Sequence, residues 1–415
     1  MDVKRLQLWE NRMASVISND TIKAVIEDQG SIVLELSNLT NNGGRVNAHP
    51  LPYFRGTQHF FDKEYNQAFW QNRPLLYYLG GNFFCFPNYG PAQQVGEVYH
   101  PEHGFAATEM WSVQKYGTDG ETGANWILFK MVSPNEDYPF VAFKIEMMLP
   151  SHPVLYSSVI IKNLGSKDII ANSGWHNSVG SPFLETGSII DLSADYYSVS
   201  PLERSLEQVG RLKPSAEFDD LSKAPLRNGQ LIDLKVVPSV TGTTDFVTGK
   251  IPDDAKLGYA SVLNPRMKMV YFTFFTGPAA STDEDEIILN FNNLSMQYGG
   301  RPFTPYALYD GGTDYSFSVG LQNATGYYNL GLKESLGNPT LFGKETTITI
   351  KPQQTRTLRY GTAFTSYENP KMDGGIQEVE QVVEGLVLKR GKAWTLIESD
   401  SIFHFLKEFE KKLLE

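Results

Sequence analysis

The sequence predicts an all-β protein, a sandwich or a barrel, with one short helix near the C-terminus. Three observations carry this. Phe and Tyr are abundant, 25 and 21 in a chain of 415 residues, and aromatic side chains suit a half-buried pleated surface. Short β-branched and aromatic runs bounded by Gly, Asn and Pro recur along the chain. Helical periodicity is clear only near the C-terminus. All-β chains often run past ~250 residues as one domain, so the length does not force several.

Ser31 to Leu39 (SIVLELSNL) reads as a strand, bounded by Gly30 and the Asn41-Asn42-Gly43-Gly44 turn cluster. Val154 to Lys162 (VLYSSVIIK) is another, ended by Asn163-Leu164-Gly165. Met267 to Thr276 (MKMVYFTFFT) alternates and stops at Gly277-Pro278. Glu345 to Lys351 and Thr355 to Tyr360 flank Pro352-Gln353-Gln354 and read as a hairpin. Arg204 to Asp254 is loop-rich and charged, and reads as an insertion over one face. Near the end, Ile402, Phe403, Leu406, Phe409 and Leu413 fall at helical spacing behind a cap at Asp400 or Ser401. Such a stripe is expected to dock on a core. The expected organisation is a sandwich domain over 1–370 and a C-terminal extension over 371–415 ending in an amphipathic helix.

Charge and cysteine content remove several functions. The net charge of −11 repels phosphate backbones, so no nucleic-acid partner is expected. One cysteine, Cys85, cannot form an intrachain disulfide. Met1 to Asn19 lacks an apolar signal-peptide core, and no run approaches ~18 apolar residues, so the expectation is a cytoplasmic protein with no membrane partner. A homodimer is left open.

Of seven histidines, His100 and His103 lie in Tyr99-His100-Pro101-Glu102-His103-Gly104-Phe105, and His176 lies in Gly174-Trp175-His176-Asn177. A metal site on His100, His103, Glu97 and Glu102 is disfavoured, because Pro101 and Gly104 break the helix that would aim two imidazoles one way. No metal ligand is assigned. No phosphate-cradling glycine loop and no GxSxG serine elbow is present. What remains is acid–base chemistry. Histidine exchanges a proton near neutrality. Two histidines and a carboxylate around an aromatic-walled pocket would suit proton shuffling on a sugar, whose C–H faces stack on rings. Trp70, Phe83, Phe84, Phe86, Tyr89, Trp111 and Trp175 are the candidate walls. Each of these aromatics also reads as ordinary core.

Two segments carry a resemblance. Leu79-Gly80-Gly81-Asn82-Phe83-Phe84-Cys85-Phe86-Pro87-Asn88-Tyr89-Gly90 resembles the RGGIPxCFPxFG stretch of hexose-6-phosphate mutarotases and their aldose 1-epimerase relatives. His103-Gly104-Phe105-Ala106-Ala107, followed by Trp111-Ser112-Val113, resembles their HGFAR…W segment. More loosely, Val154 to Lys162, Asn163-Leu164-Gly165 and His176 look like the passage that delivers the family's histidine, and Glu345 to Phe364 like its closing hairpin.

The resemblance, to the galactose mutarotase-like superfamily, implies an antiparallel supersandwich with the sugar in a concave face. It implies anomer interconversion of an aldose with neither cofactor nor metal. His176 would be the general acid at the ring oxygen, and His103 would position the sugar. Asn82, Phe84, Trp111 and Trp175 complete the candidate substrate-binding set. The family's base is a glutamate on a late strand; Glu334 is the candidate here, with Lys333 nearly as good an alignment partner. The phosphate-clamping arginines of the hexose-6-phosphate enzymes are replaced by Leu79 and Ala107, so the expected ligand is a monosaccharide or short oligosaccharide other than a hexose 6-phosphate. Arg55, Arg73 or Arg301 could supply a clamp from elsewhere. The competing reading is a non-catalytic carbohydrate-binding protein on the same scaffold. The discriminating feature is whether His176 faces a carboxylate. A third class, an oligosaccharide lyase or hydrolase, would need paired acids, and Asp283-Glu284-Asp285-Glu286 reads instead as a solvated loop.

Overall fold

Two antiparallel sheets stack face to face. A computed structural model describes all residues except 1, 10–11, 41–44, 51–74, 76–79, 202–209, 240–241, 282, 301–316 and 415. The larger sheet runs, in spatial order, from Asp2–Trp9 through Arg12–Ser18, Ile22–Glu27, Val33–Asn38, Asn82–Cys85, Gly174–Gly180, Phe317–Ala324, Phe291–Tyr298, Thr243–Lys250 and Tyr196–Ser198 to Glu217–Phe218. The smaller runs from Ile189–Leu192 through Leu257–Asn264, Met269–Thr276, Thr355–Ser366, Val154–Asn163, Phe140–Met148 and Asn125–Val132 to Ser112–Thr118.

Alternation along each strand divides the side chains into layers. One face of each sheet enters a common core that includes Ile26, Val179, Leu321 and Met296 from the large sheet and Phe129, Ala142, Val159 and Leu358 from the small one. The other face of the small sheet is also buried. Leu128, Ile145, Met147 and Phe272 pack there against Leu386, Leu388, Ile397, Phe403, Leu406 and Phe409 of the C-terminal extension. That extension is a three-stranded sheet, Glu378–Val382, Gly385–Arg390 and Ala393–Glu398, followed by the helix His404–Leu414. A small sheet buried on both sides explains why Val154 to Lys162 reads as a nearly unbroken apolar run. The remaining face of the large sheet carries the candidate site.

Several expectations are met within a residue or two, and others change. The Met267 to Thr276 strand forms as Met269–Thr276. The helix begins at His404, with Asp400 accepting from the Phe405 N–H at 2.7 Å. Phe403, Leu406 and Phe409 are buried, whereas Ile402 is 63% exposed and leaves the stripe. The expected hairpin around Pro352 does not form. Ile348–Ile350 pairs with Ile169–Ala171, while Thr355–Ser366 lies between Val154–Asn163 and Met269–Thr276. The turn therefore joins strands of two different sheets. The segment read as an insertion supplies an interior strand of the larger sheet, Thr243–Lys250. In the acidic run, Glu286 is buried and accepts from Thr276 Oγ1 at 2.9 Å, with Arg359 3.3 Å away, so that end is core and not solvated loop.

Candidate functional site

The site is built where the strand carrying His176 lies between the Asn82–Cys85 strand and the Phe317–Ala324 strand. Register decides which side chains share a face: His176 stands opposite Phe83 on one side and opposite Gln322 on the other. Gln322 in turn faces Asn293, and Asn293 faces Thr248. Phe83, His176, Gln322, Asn293 and Thr248 therefore form one row across five strands on the face away from the core. Two motif glycines make the approach possible. Gly81 (φ 49°) has no room for a Cβ, which would fall 1.8 Å from the Val33 carbonyl oxygen. Gly104 (φ 80°) brings the His103 turn against Phe86, where a Cβ would lie 2.4 Å from backbone.

His103, itself at φ 59°, donates its backbone N–H to Gly90 O at 2.9 Å, which pins the turn to the Tyr89 loop. Its ring meets the His176 ring edge to face, with centroids 4.9 Å apart. His176 stacks on Phe83 at 4.7 Å with a 7° interplanar angle. Tyr89 closes the other side of His103 at 5.7 Å. Cys85 Sγ lies 3.5 Å from His103 Nδ1, and burial pushes the thiol far up, so it stays protonated. Around this aromatic floor stand amides. Gln322 Nε2 is 3.0 Å from His176 Nε2, Tyr89 donates to Gln322 Oε1 at 2.5 Å, and Asn293 Nδ2 donates to Tyr89 Oη at 3.2 Å. Asn329 Nδ2 is 3.4 Å from Gln322 Oε1. Two imidazoles, a phenol and three amides thus form one polar cluster beside the Phe83 ring, bonded mostly to each other; Phe83, Tyr89, Asn293 and Gln322 are buried, and His176 is partly exposed.

The immediate chain neighbours of this row face the opposite way and are also tied down. Asn177 donates to Tyr360 Oη at 2.6 Å and accepts from Tyr271 at 3.1 Å. Tyr360 donates to Asn323, which donates to Asn292, which reaches the Ser193 carbonyl at 3.1 Å. A polar network in the low-dielectric interior holds the strands under the site rigidly.

The same alternation redistributes the expected residues. His103 and His176 come together. Asn82, Phe84 and Trp175 do not join them: in register Asn82 faces Asn177 and Phe84 faces Trp175, so all three point into the sandwich. Phe84 and Trp175 are fully buried at 5.5 Å from each other, and Lys144 Nζ sits 5.0 Å from the Trp175 ring centre. Trp111 is core too, donating its indole N–H to Ala106 O at 2.8 Å. The residue that takes the floor position is Phe83, one place earlier. Glu334 is not on a strand. The chain turns at Gly331 into the short helix Leu332–Gly337, because Asn88 Oδ1 and Gln93 Oε1 receive the Leu332 and Lys333 N–H groups. Glu334 sits half-buried in the first turn, where its charge adds to burial in raising the Tyr327 hydroxyl. The late-strand side chain that faces His176 is Gln322. His100 is apart from the pair, packed on Phe105 and Tyr138, and burial lowers it to about 4. Ala107 is buried. Leu79, Trp70, Arg55, Arg73 and Arg301 lie outside the described residues. Sequence reading missed Gln322 and Asn293, although the alternation Ser318-Val319-Gly320-Leu321-Gln322 marks the outward positions once Val319 and Leu321 are assigned to the core.

The fold is a β-sandwich of the galactose mutarotase-like kind. Solved structures of that class superpose over most of the chain. A protein from Klebsiella pneumoniae provisionally described as an aldose 1-epimerase matches with a TM-score of 0.58 and 13% identity, over 86% of this chain and 80% of its own. A galactose mutarotase-like protein from Clostridium acetobutylicum matches at 0.55 and 16%, over 88% and 98%. A galactose mutarotase related enzyme from Lactobacillus acidophilus matches at 0.52 and 14%, over 85% and 98%. At such identities the likeness is one of fold. No protein-family model and no curated protein matches the chain.

Proposed function

We propose that the protein recognises an uncharged aldose, as a free monosaccharide or the terminal unit of a short oligosaccharide, at the face of the larger sheet around His103 and His176. The observation that supports this reading is that, among the described residues, the groups gathered around His103 and His176 are Phe83, Tyr89, Asn293, Gln322 and Asn329, none of them a lysine, arginine or carboxylate. Amides and imidazoles bind hydroxyls without a charge mismatch, while a phosphate or carboxylate would call for a cation among them. The similar solved structures, described as aldose 1-epimerase and galactose mutarotase-like proteins, support a sugar ligand.

Turnover is a separate matter. Anomer interconversion needs one group to remove the O1 proton and another to protonate the ring oxygen. Among the described residues, the late-strand side chain that faces His176 is Gln322, and an amide can do neither at neutral pH. The reading favoured is therefore recognition without rapid interconversion. The histidine pair itself favours the second reading, an aldose 1-epimerase.

Isothermal titration calorimetry against neutral aldoses, aldose phosphates and uronic acids tests the binding claim. A neutral aldose should bind, and His103→Ala and His176→Ala should each weaken it by about tenfold or more, the loss of one to two hydrogen bonds. Binding of charged sugars alone, or neutral-sugar binding indifferent to both substitutions, would overturn the assignment.

A further inference from the structure

A neutral imidazole has one donor nitrogen and one acceptor nitrogen, and the hydrogen-bond network must say which is which. Four distances around Gln322 give the direction. Tyr89 Oη to Gln322 Oε1 and Thr248 Oγ1 to Asn293 Oδ1 are both 2.5 Å, at the short limit of O–H···O bonds and too short for a nitrogen donor. Asn293 Nδ2 to Tyr89 Oη is 3.2 Å and Gln322 Nε2 to His176 Nε2 is 3.0 Å, the longer spacing of bonds donated by nitrogen. Every amide end agrees. Thr248 donates to Asn293, Asn293 to Tyr89, Tyr89 to Gln322, and Gln322 to His176. Asn329 Nδ2 points at the same Gln322 oxygen from another side. An amide nitrogen has no lone pair to offer, so His176 Nε2 must accept.

A second, independent feature fits the amide to this place. Gly320 lies two residues before Gln322 on the same strand and so on the same face. A Cβ at position 320 would stand 2.7 Å from Gln322 Nε2 and 3.4 Å from its Cδ. The amide lies over the glycine, and a methyl group there would push it off His176.

We infer that Gln322 is a positioning residue that holds His176 as the neutral imidazole with its proton on Nδ1 and its Nε2 lone pair engaged by the amide. A proton placed on Nε2 would meet the amide N–H head on, so the site keeps the histidine pair while withholding the Nε2 proton that an acid would deliver. Glutamate at 322 reverses this. A carboxylate only accepts, and it draws a proton onto Nε2. The inference deepens the sugar-site reading above, yet its test needs no sugar.

The test is the ¹⁵N imidazole spectrum of the full-length protein at pH 7, with the His176 signals assigned by their loss in His176→Gln. Wild type should show an unprotonated Nε2 and a protonated Nδ1. Gln322→Glu should show a protonated Nε2, and Gly320→Ala a mixture of the two tautomers. A protonated Nε2 in wild type, or the wild-type pattern retained in Gln322→Glu, overturns the inference. If Gln322→Glu does not fold, Gly320→Ala decides, and an unchanged pattern there counts against it. Absence of sugar binding would sink the functional reading and leave this result standing, and the converse also holds.

Discussion

At the scale of single residues, the difference between floor and core is one step along a strand. Phe83 and Phe84 are chemically identical, yet Phe83 stacks on His176 and Phe84 packs on Trp175 inside the sandwich. Phe84→Ala should lower unfolding stability by about 3–5 kcal/mol, the usual loss for a buried aromatic, and leave sugar affinity of the folded protein unchanged. Urea unfolding and calorimetry on the same sample check both halves; lost affinity would place Phe84 at the site. The sequence made His103 and His176 legible, because unusual glycine and aromatic neighbours surround them. It could not tell Phe83 from Phe84, or Trp175 from His176, since a one-residue register change flips every side chain to the other face. Glu334 failed for a related reason. Two side-chain caps, from Asn88 and Gln93, turn its segment into a helix, and both come from residues more than 230 positions away in sequence.

At the scale of elements, the C-terminal extension is cemented to the small sheet by more than its apolar stripe. Arg359 on the Thr355–Ser366 strand reaches Glu410 on the final helix at 2.7 Å and Glu286 at 3.3 Å, and Ser158 donates to Glu410 at 2.6 Å. All three charged groups are buried. Arg359→Met would leave two carboxylates unpaired, and breaking one side of a buried pair costs about 3–5 kcal/mol. The urea midpoint should fall accordingly; a change under ~1 kcal/mol would mean that solvent already reaches the cluster. The amphipathic helix was readable from spacing alone. Its charged anchor was not, because Ser158, Glu286, Arg359 and Glu410 meet only after the sheet has formed. The strand pairing around Pro352 was hidden for the same reason: a turn signal says that the chain reverses, not which neighbours it then finds.

At the scale of the whole molecule, the fold itself was legible, since scarce helix, repeated turn residues and aromatic-rich runs leave few alternatives to a sandwich. Burial of histidines makes its stability depend on pH. Burial lowers both His49 and His100 to about 4, against an ordinary value near 6.5. Between those values the unfolded chain binds more protons than the folded one, so stability is complete above about pH 6.5 and declines as pH falls towards 4. Each histidine contributes up to roughly 3 kcal/mol to that decline. Urea unfolding from pH 7 to 4.5 should show it, and a His49→Asn, His100→Asn double variant should flatten it; equal slopes would refute the assignment. On the proposed function, an uncharged sugar binds at His103 and His176, with the Gln322 amide where an epimerase would need a base. Two-dimensional NMR exchange between the α and β anomers of the aldose that binds tests it most directly. Saturation transfer from protein to sugar is expected, with interconversion at the spontaneous rate. Interconversion accelerated by the wild-type protein and abolished in His176→Ala would contradict it.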